Sequence, residues 1–415
     1  MRKSVLLIYF LRFFGTGIII PVLSLSMLVR GATIETISLV IGLYSLTVIL
    51  AEFPSGVFAD LYGRKKAFLL SNMLSVLSYS LFFFSRSVPL LLVGMVINGL
   101  SRAFASGSIE ALMIDQSREQ QIPIERVTAR LSILESAGFA SGALFGGLLA
   151  EIGTRYSANL GANIALSALL IVLTLLFVRE TPPVHADHVA SSHLALFRAQ
   201  IKDSISFAKQ AGIIRVLLIF ALLMGFFLNP VETYWQPALL AYELPSWVFG
   251  AVSFGGFAFV MLGSWLSERL LRRSGKAGVG LLLALKALLG FGLIAFSFVG
   301  GRLAFICIYL ALYLLIGGSG VVENTLLNRL APGSHRASIL SLFSLVLQLG
   351  GVIASIAGYF VSTYSRYQNM WIIAGVLLLL FSVLAGALRK SLEKTSALES
   401  QEVNAGISDL EEPGL

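Results

Sequence analysis

Gly56-Val57-Phe58-Ala59-Asp60-Leu61-Tyr62-Gly63-Arg64-Lys65-Lys66 is a short run of small and charged residues wedged between two long apolar stretches. Asp60 and Arg64 stand four apart, so on a helix they are neighbours on one face. If the preceding helix ends near Gly56, the glycine admits a neighbouring backbone at close range. Asp60 and the basic triplet Arg64, Lys65 and Lys66 can then exchange partners at a membrane surface. Such a cluster suits a latch between two states.

The flanking sequence makes this a membrane chain. Of 415 residues, 57% are hydrophobic and only 13% are charged, with a mean hydropathy of +0.86. A crossing needs roughly 20 apolar residues, and the apolar runs predict twelve, at 4–29, 34–58, 67–85, 88–113, 129–151, 158–178, 213–241, 246–267, 278–299, 303–326, 337–362 and 368–388. The first is too long for a secretory signal and lacks a small-x-small cleavage site, so it reads as an uncleaved helix. With the first residues on the cytoplasmic side, Lys and Arg divide 22 to 5 in favour of cytoplasmic loops, tails and helix ends. Both termini are therefore expected in the cytoplasm, in a cytoplasmic membrane.

Net charge is +8, but its basic residues are scattered over short loops, which excludes a nucleic-acid surface and points to lipid contact. Cys307 is the one cysteine and forms no intrachain disulfide. His185, His188 and His193 fall in the central loop without an accompanying cysteine or acidic ligand set, so no metal site is expected. No Walker loop, dinucleotide fingerprint or nucleophile elbow is present, and neither an enzymatic activity nor a cofactor is expected.

The longest internal polar segment, 179–212, separates a first six-span bundle, 1–178, from a second, 213–388, and a polar tail follows at 389–415. The halves are related. Ser106–Asp115 parallels 318–328, setting Glu110 against Glu323 and Asp115 against Asn328, and 130–134 parallels 336–340. A duplicated six-helix unit follows.

The opening cassette closely resembles the loop signature of the major facilitator superfamily, G-x-x-x-D-x-x-G-R-[KR]-[KR], which joins the second and third membrane helices of those transporters. The resemblance implies an all-α membrane fold of twelve helices in two six-helix repeats, carrying a small-molecule substrate near the bilayer midplane. It also implies a gating set of Gly56, Asp60, Gly63, Arg64 and Lys65, with Asp115 as the acid that bonds the cassette arginine. A degenerate second copy lies at Gly263–Glu268 with Arg272 and Arg273, so the first-half latch is expected to dominate. Gly138, Gly142, Gly146 and Gly147 read G-x-x-x-G-x-x-x-G-G in span five. By themselves they describe close helix packing, but they also resemble the antiporter signature of the superfamily's drug:proton exporters, with Ala143 where that signature has proline.

Charged side chains within spans cost about 2.5 to 3.5 kcal/mol each on insertion scales, so each is a functional candidate. The first half carries Arg12, Glu52, Arg102, Glu110 and Glu135 within spans. A carboxylate without a full cationic partner can bind and release a proton, and the expected order is Glu110, Glu135, Glu52, with Arg12 and Arg102 biasing them. The alternative for Arg102 is a permanent buried ion bridge. In span seven, Asn229–Pro237 carries two prolines, Glu232, Tyr234 and Trp235, as a broken helix facing a cavity would. The two rings suit either a cationic amphiphile or an interfacial anchor. Lys286 is expected either to pair with Glu323 or Asn324, or to meet an anionic cargo.

The expected function is proton-coupled export of small amphiphilic molecules by alternating access, performed by a monomer. The alternative is proton-coupled or facilitated uptake of a sugar, amino acid or organic anion, favoured if Arg12 and Lys286 line a polar cavity. A non-transporting sensor is a third reading.

Overall fold

Twelve helices of the computed structural model are long and apolar enough to cross a membrane: Lys3–Leu28, Ile34–Tyr62, Arg64–Phe84, Val88–Ile114, Arg126–Leu149, Ser157–Phe177, Gly212–Leu240, Ser246–Arg273, Gly278–Ser297, Arg302–Arg329, Ile339–Tyr364 and Asn369–Ala387. They are spans one to twelve below. The structure describes residues 3–106, 108–119, 121, 124–180, 212–274, 278–330 and 336–387. The three central-loop histidines, the amphipathic run that follows them, the polar tail and the side chain of Asp115 lie outside the described residues. An all-helical chain is what the bilayer demands, because each helix satisfies its own backbone N–H and C=O groups where water is absent.

The helices depart from expectation at the places that matter for function. Span two does not end near Gly56 but runs unbroken to Tyr62, over Pro54. Gly56 and Asp60 are therefore helical, and the chain turns only at Gly63, whose φ of 99° and ψ of 148° belong to glycine. Span seven is likewise continuous from Gly212 to Leu240 with Pro230 and Pro237 inside it, not broken. Span four, by contrast, consists of two helices, Val88–Ala105 and Ile109–Glu119. Its interruption falls between Arg102 and Glu110.

Two compact units are distinguished. One gathers the described residues of 1–190 with 229–258 and 352–367, and the other those of 191–228, 259–351 and 368 onward. The first holds two apolar clusters, one around Tyr9, Phe13, Phe68 and Ile109, the other around Met27, Ile37, Phe82 and Met95. Outward-facing positions stay apolar, as lipid requires: Phe84 is 74% exposed and Val383 70%.

Small residues bring helices together inside each unit. A Cβ on Gly142 would lie 2.2 Å from the Phe14 carbonyl oxygen, and one on Gly146 would lie 2.3 Å from that of Ile18. Gly138 meets the Phe10 carbonyl at 2.9 Å, so three glycines of span five form a groove for span one. Gly147 faces elsewhere, onto Gly250 of span eight. In this structure the glycine run packs against neighbouring helices, as small residues do in lipid.

Candidate functional site

Six helices of the first unit surround a cavity of about 280 Å³. Span one contributes Arg12 and Thr16, span two Tyr44, and span four Asn98, Ser101 and Arg102. Span three lines it with Ser71, Asn72, Ser75 and Tyr79, and span six with Asn163 and Ser167, while Phe13, Phe68 and Phe139 give it an apolar side. The polar wall is tied to the scaffold. Asn72 Nδ2 donates to the Phe68 carbonyl at 2.7 Å, Ser101 Oγ to the Ser71 carbonyl at 2.9 Å, and Ser75 and Ser167 meet at 3.1 Å. Each side chain is thereby held in one orientation by a neighbouring turn or helix.

Arg12 lies beside the Phe13 ring, 5.0 Å from its centre. Arg102 is exposed to the cavity, at the last turn of the first helix of span four. Neither guanidinium has a carboxylate oxygen of a described residue within 4.0 Å, so the permanent ion bridge expected as one reading of Arg102 is absent among the described residues. Glu110 and Glu135 are half-buried and act electrostatically on Arg12 and on Tyr9, and Glu135 also on Arg102. Glu52 interacts with Arg102 as well, so the five expected proton-coupling residues form one electrostatic group. Tyr9 and the serine and asparagine wall were missed, although Ser71, Asn72, Ser75 and Tyr79 recur at helical spacing in an apolar span and mark a polar face.

The cassette is organised by a residue that the motif does not contain. Glu180, just past span six, accepts from the backbone N–H groups of Arg64 at 2.7 Å and Lys65 at 2.9 Å. These are free donors of the first turn of span three, and an anion there also meets the positive end of the helix dipole. Lys65 Nζ reaches the Leu175 carbonyl at 3.2 Å, binding the same two spans. Gly63 is fitted to this contact: a Cβ would stand 2.7 Å from Glu180 Oε2. Gly56 has open space around it, so the close backbone approach expected there does not occur in this conformation. Asp60 is exposed. In the degenerate copy, Glu268 pairs with Arg272 on one helix face, and Arg269 covers the Trp265 ring at 4.1 Å.

In the second half, Lys286 is fully buried and its ammonium lies 2.8 Å from a Glu323 oxygen. Met224 Sδ stands 3.6 Å away and the Phe220 ring 5.7 Å. The internal partner therefore wins over an anionic cargo for Lys286, because a buried charge without one costs several kcal/mol (order of magnitude). Asn324 is exposed and bonds Asn328 instead.

Tyr234 and Trp235 are also corrected. Both are fully buried, so neither presents a ring face to a cargo or to an interface. The Tyr234 hydroxyl bonds Ser38 Oγ of span two and, at 3.2 Å, Ser362 Oγ of span eleven. Around it, Gln236 Oε1 accepts from the Ser24 N–H at 2.9 Å, and Gln236 Nε2 donates to the Ile20 carbonyl at 2.7 Å. Ser24 Oγ donates to the Thr233 carbonyl at 2.9 Å, and Asn229 Nδ2 to Ser355 Oγ at 2.9 Å. Glu232 lies on the same helix and is half-buried. This polar clasp lies in the first unit at the end of the helices opposite the cassette. Nearby, buried Arg30 donates to the carbonyls of Phe82, Ser26 and Arg155 at 2.6 to 2.8 Å, tying the ends of spans one and three to the loop between spans five and six. Burial, with Arg155 beside it, pulls its guanidinium down to about 10, so it stays protonated at neutral pH.

With twelve spans, the cassette and the cavity in view, comparison with known proteins decides the family. The sequence profile of the Major Facilitator Superfamily matches residues 5–326 and 246–410. The chain belongs to the Major Facilitator Superfamily. Similar superfamily members include an uncharacterized MFS-type transporter, YxaM, of Bacillus subtilis, 25% identical over 386 residues, covering 89% of this chain and 91% of the relative. Multidrug resistance protein 2 of the same organism is 26% identical over 228 residues, and the quinolone resistance protein NorA of Staphylococcus aureus 25% over 179. Those two alignments cover 54% and 42% of this chain and 54% and 46% of the relatives, about half of each. The crystal structure of the nucleoside transporter NupG superposes with a TM-score of 0.76 at 16% identity, covering 93% of this chain and 98% of that one. A D-xylose-proton symporter gives 0.67 at 14%, covering 91% and 97%. These likenesses are of fold. The superfamily member described here is a multi-pass membrane transporter, not an enzyme.

Proposed function

We propose that this superfamily member is a proton-coupled secondary transporter that exports small amphiphilic molecules by alternating access, as a monomer in a bacterial cytoplasmic membrane with both termini in the cytoplasm. The observation that carries the reading is a cavity within the first bundle lined by Arg12 and Arg102, with Glu110 acting electrostatically on Arg12 and Glu135 on both arginines. Their charge is too costly to keep in hydrocarbon without a use. Carboxylates near, but not bonded to, guanidiniums can gain and lose a proton as the surroundings change. Export is supported by the relatives named for multidrug and quinolone resistance and by the antiporter-like glycines of span five. The order of the coupling acids remains Glu110 before Glu135 before Glu52.

A second reading, proton-coupled uptake, draws on the polar wall and the guanidiniums of that same cavity. Lys286, the other cation that would have favoured it, is bound to Glu323.

Liposomes holding the purified protein and a trapped pH dye test the proposal. Small amphiphiles presented in turn are expected to evoke proton movement, and Glu110→Gln is expected to abolish it while the protein still folds. Unchanged coupling in Glu110→Gln moves the proton to Glu135. Silence across every amphiphile, sugar and amino acid removes the proton-coupled reading.

A further inference from the structure

We propose that the first-bundle cavity is a docking site for an organic carboxylate, whose acidic group lies between Arg12 and Arg102; this deepens the transport reading by naming the class of cargo. Among the described residues, Arg12 and Arg102 are the charged side chains that line the cavity, and no carboxylate lines it with them. Glu110 and Glu135 act electrostatically on Arg12, and Glu135 on Arg102, without lining the cavity among the described residues. A cationic cargo would meet two guanidiniums at the surface it must touch. A neutral one would leave both without the partner that low-dielectric surroundings demand. A carboxylate answers both arginines, since the planar guanidinium fork matches its two oxygens.

The remainder of the wall sets the size and shape of the rest of the molecule. At about 280 Å³ the cavity falls at the small end for ligand sites, suited to one ring or a short chain. Phe13, Phe68 and Phe139 offer an apolar side to that body. Asn72 and Ser101 already spend a donor on backbone carbonyls and so are held in fixed orientations. A small aromatic or branched acid fits this combination of cationic, amide and aromatic surfaces. A phosphate ester shares the anionic group, but its larger hydrated head suits a more open and more cationic site.

The test is calorimetric titration of the full-length protein in detergent with benzoate, salicylate, phenyl phosphate, benzamide and benzylammonium. Benzoate and salicylate are expected to bind, with benzamide and benzylammonium at least about 10-fold weaker, the difference a charge-assisted hydrogen bond supplies. Arg12→Gln and Arg102→Gln are each expected to weaken the carboxylates by about 10- to 100-fold, and Arg12→Lys to recover part of that loss. Thermal unfolding of every variant separates lost binding from lost fold. Failure of both carboxylates to bind, equal binding of benzoate and benzamide, indifference of well-folded Arg12→Gln, or preference for phenyl phosphate each overturns the assignment. Because binding in detergent needs no gradient, the outcome is independent of the liposome assay. Carboxylate binding without proton movement leaves the subsite standing and removes the proposed coupling, and the reverse result does the opposite.

Discussion

At the scale of single residues, Gly63 and Glu180 form a joint that neither sequence neighbourhood announces by itself. Gly63 has the backbone conformation that turns span two into span three, and the space its missing Cβ leaves is filled by the Glu180 carboxylate. Gly63→Ala is expected to lose about 1–3 kcal/mol, the usual cost of forcing a side chain into such a region. Glu180→Gln keeps the shape but not the charge. Since Glu180 is only half-buried, its loss is expected to be smaller, about 1 kcal/mol. Thermal unfolding of the purified variants reads both effects, and a Gly63→Ala variant as stable as the parent contradicts the account. The motif pointed to the right loop, yet the anion completing it comes from a position 116 residues away. No local pattern could name it, because helix N-terminal donors accept any carboxylate that the fold delivers.

Among the elements, Gly56 of span two and Gly142 of span five are both helical glycines of a sequence motif, and they differ in use. Gly142 admits the span-one backbone, so Gly142→Val must push two helices apart and is expected to cost about 1–3 kcal/mol or more. Gly56 is exposed, helical and surrounded by open space, so Gly56→Ala is expected to raise stability by about 0.5–1 kcal/mol through helix propensity. Unfolding temperatures of the two variants should move in opposite directions. A stable but transport-dead Gly56→Ala would assign Gly56 a close contact in another conformation, as the cassette pattern implies. Periodicity identified every span, because twenty apolar residues carry an unmistakable signal. It could not foresee that span seven passes through two prolines unbroken while span four breaks beside Arg102. Those outcomes depend on what neighbouring helices supply to free backbone groups.

For the molecule as a whole, the alternating access proposed here requires that the clasp around Tyr234 and Gln236 open. Tyr234 bonds spans two and eleven, and Gln236 bonds span one twice. In a Cys307→Ser background, Thr233→Cys is expected to react slowly with an impermeant maleimide, and adding Gln236→Leu is expected to speed that reaction severalfold. Equal rates indicate that the clasp contributes nothing to closure. The direction of coupling can be read from pH. Acting on one or both arginines are Tyr9 of span one, Tyr44 and Glu52 of span two, Glu110 of span four and Glu135 of span five, and Tyr79 of span three lines the same cavity. Benzoate affinity followed as pH falls, down to the pH at which benzoate itself is protonated, decides between the two transport readings. Affinity that rises with falling pH makes cargo and proton travel together and favours uptake. Affinity that falls with falling pH makes them exchange and favours export.

Composition, hydropathy and the cassette were enough to determine the bilayer as solvent, twelve helices and the family, since each rests on residue type at short spacing. Intramembrane charge also singled out the acids and arginines worth following, because hydrocarbon penalises charge wherever it falls. Which of them share a cavity was decided only by tertiary structure. Arg12 and Arg102 line one cavity from spans one and four, whereas Lys286 is neutralised by Glu323 and Tyr234 is buried in a clasp. The physical reason is distance: an ion pair or a hydrogen bond is settled over a few ångströms in space, between side chains that the sequence holds tens to hundreds of residues apart.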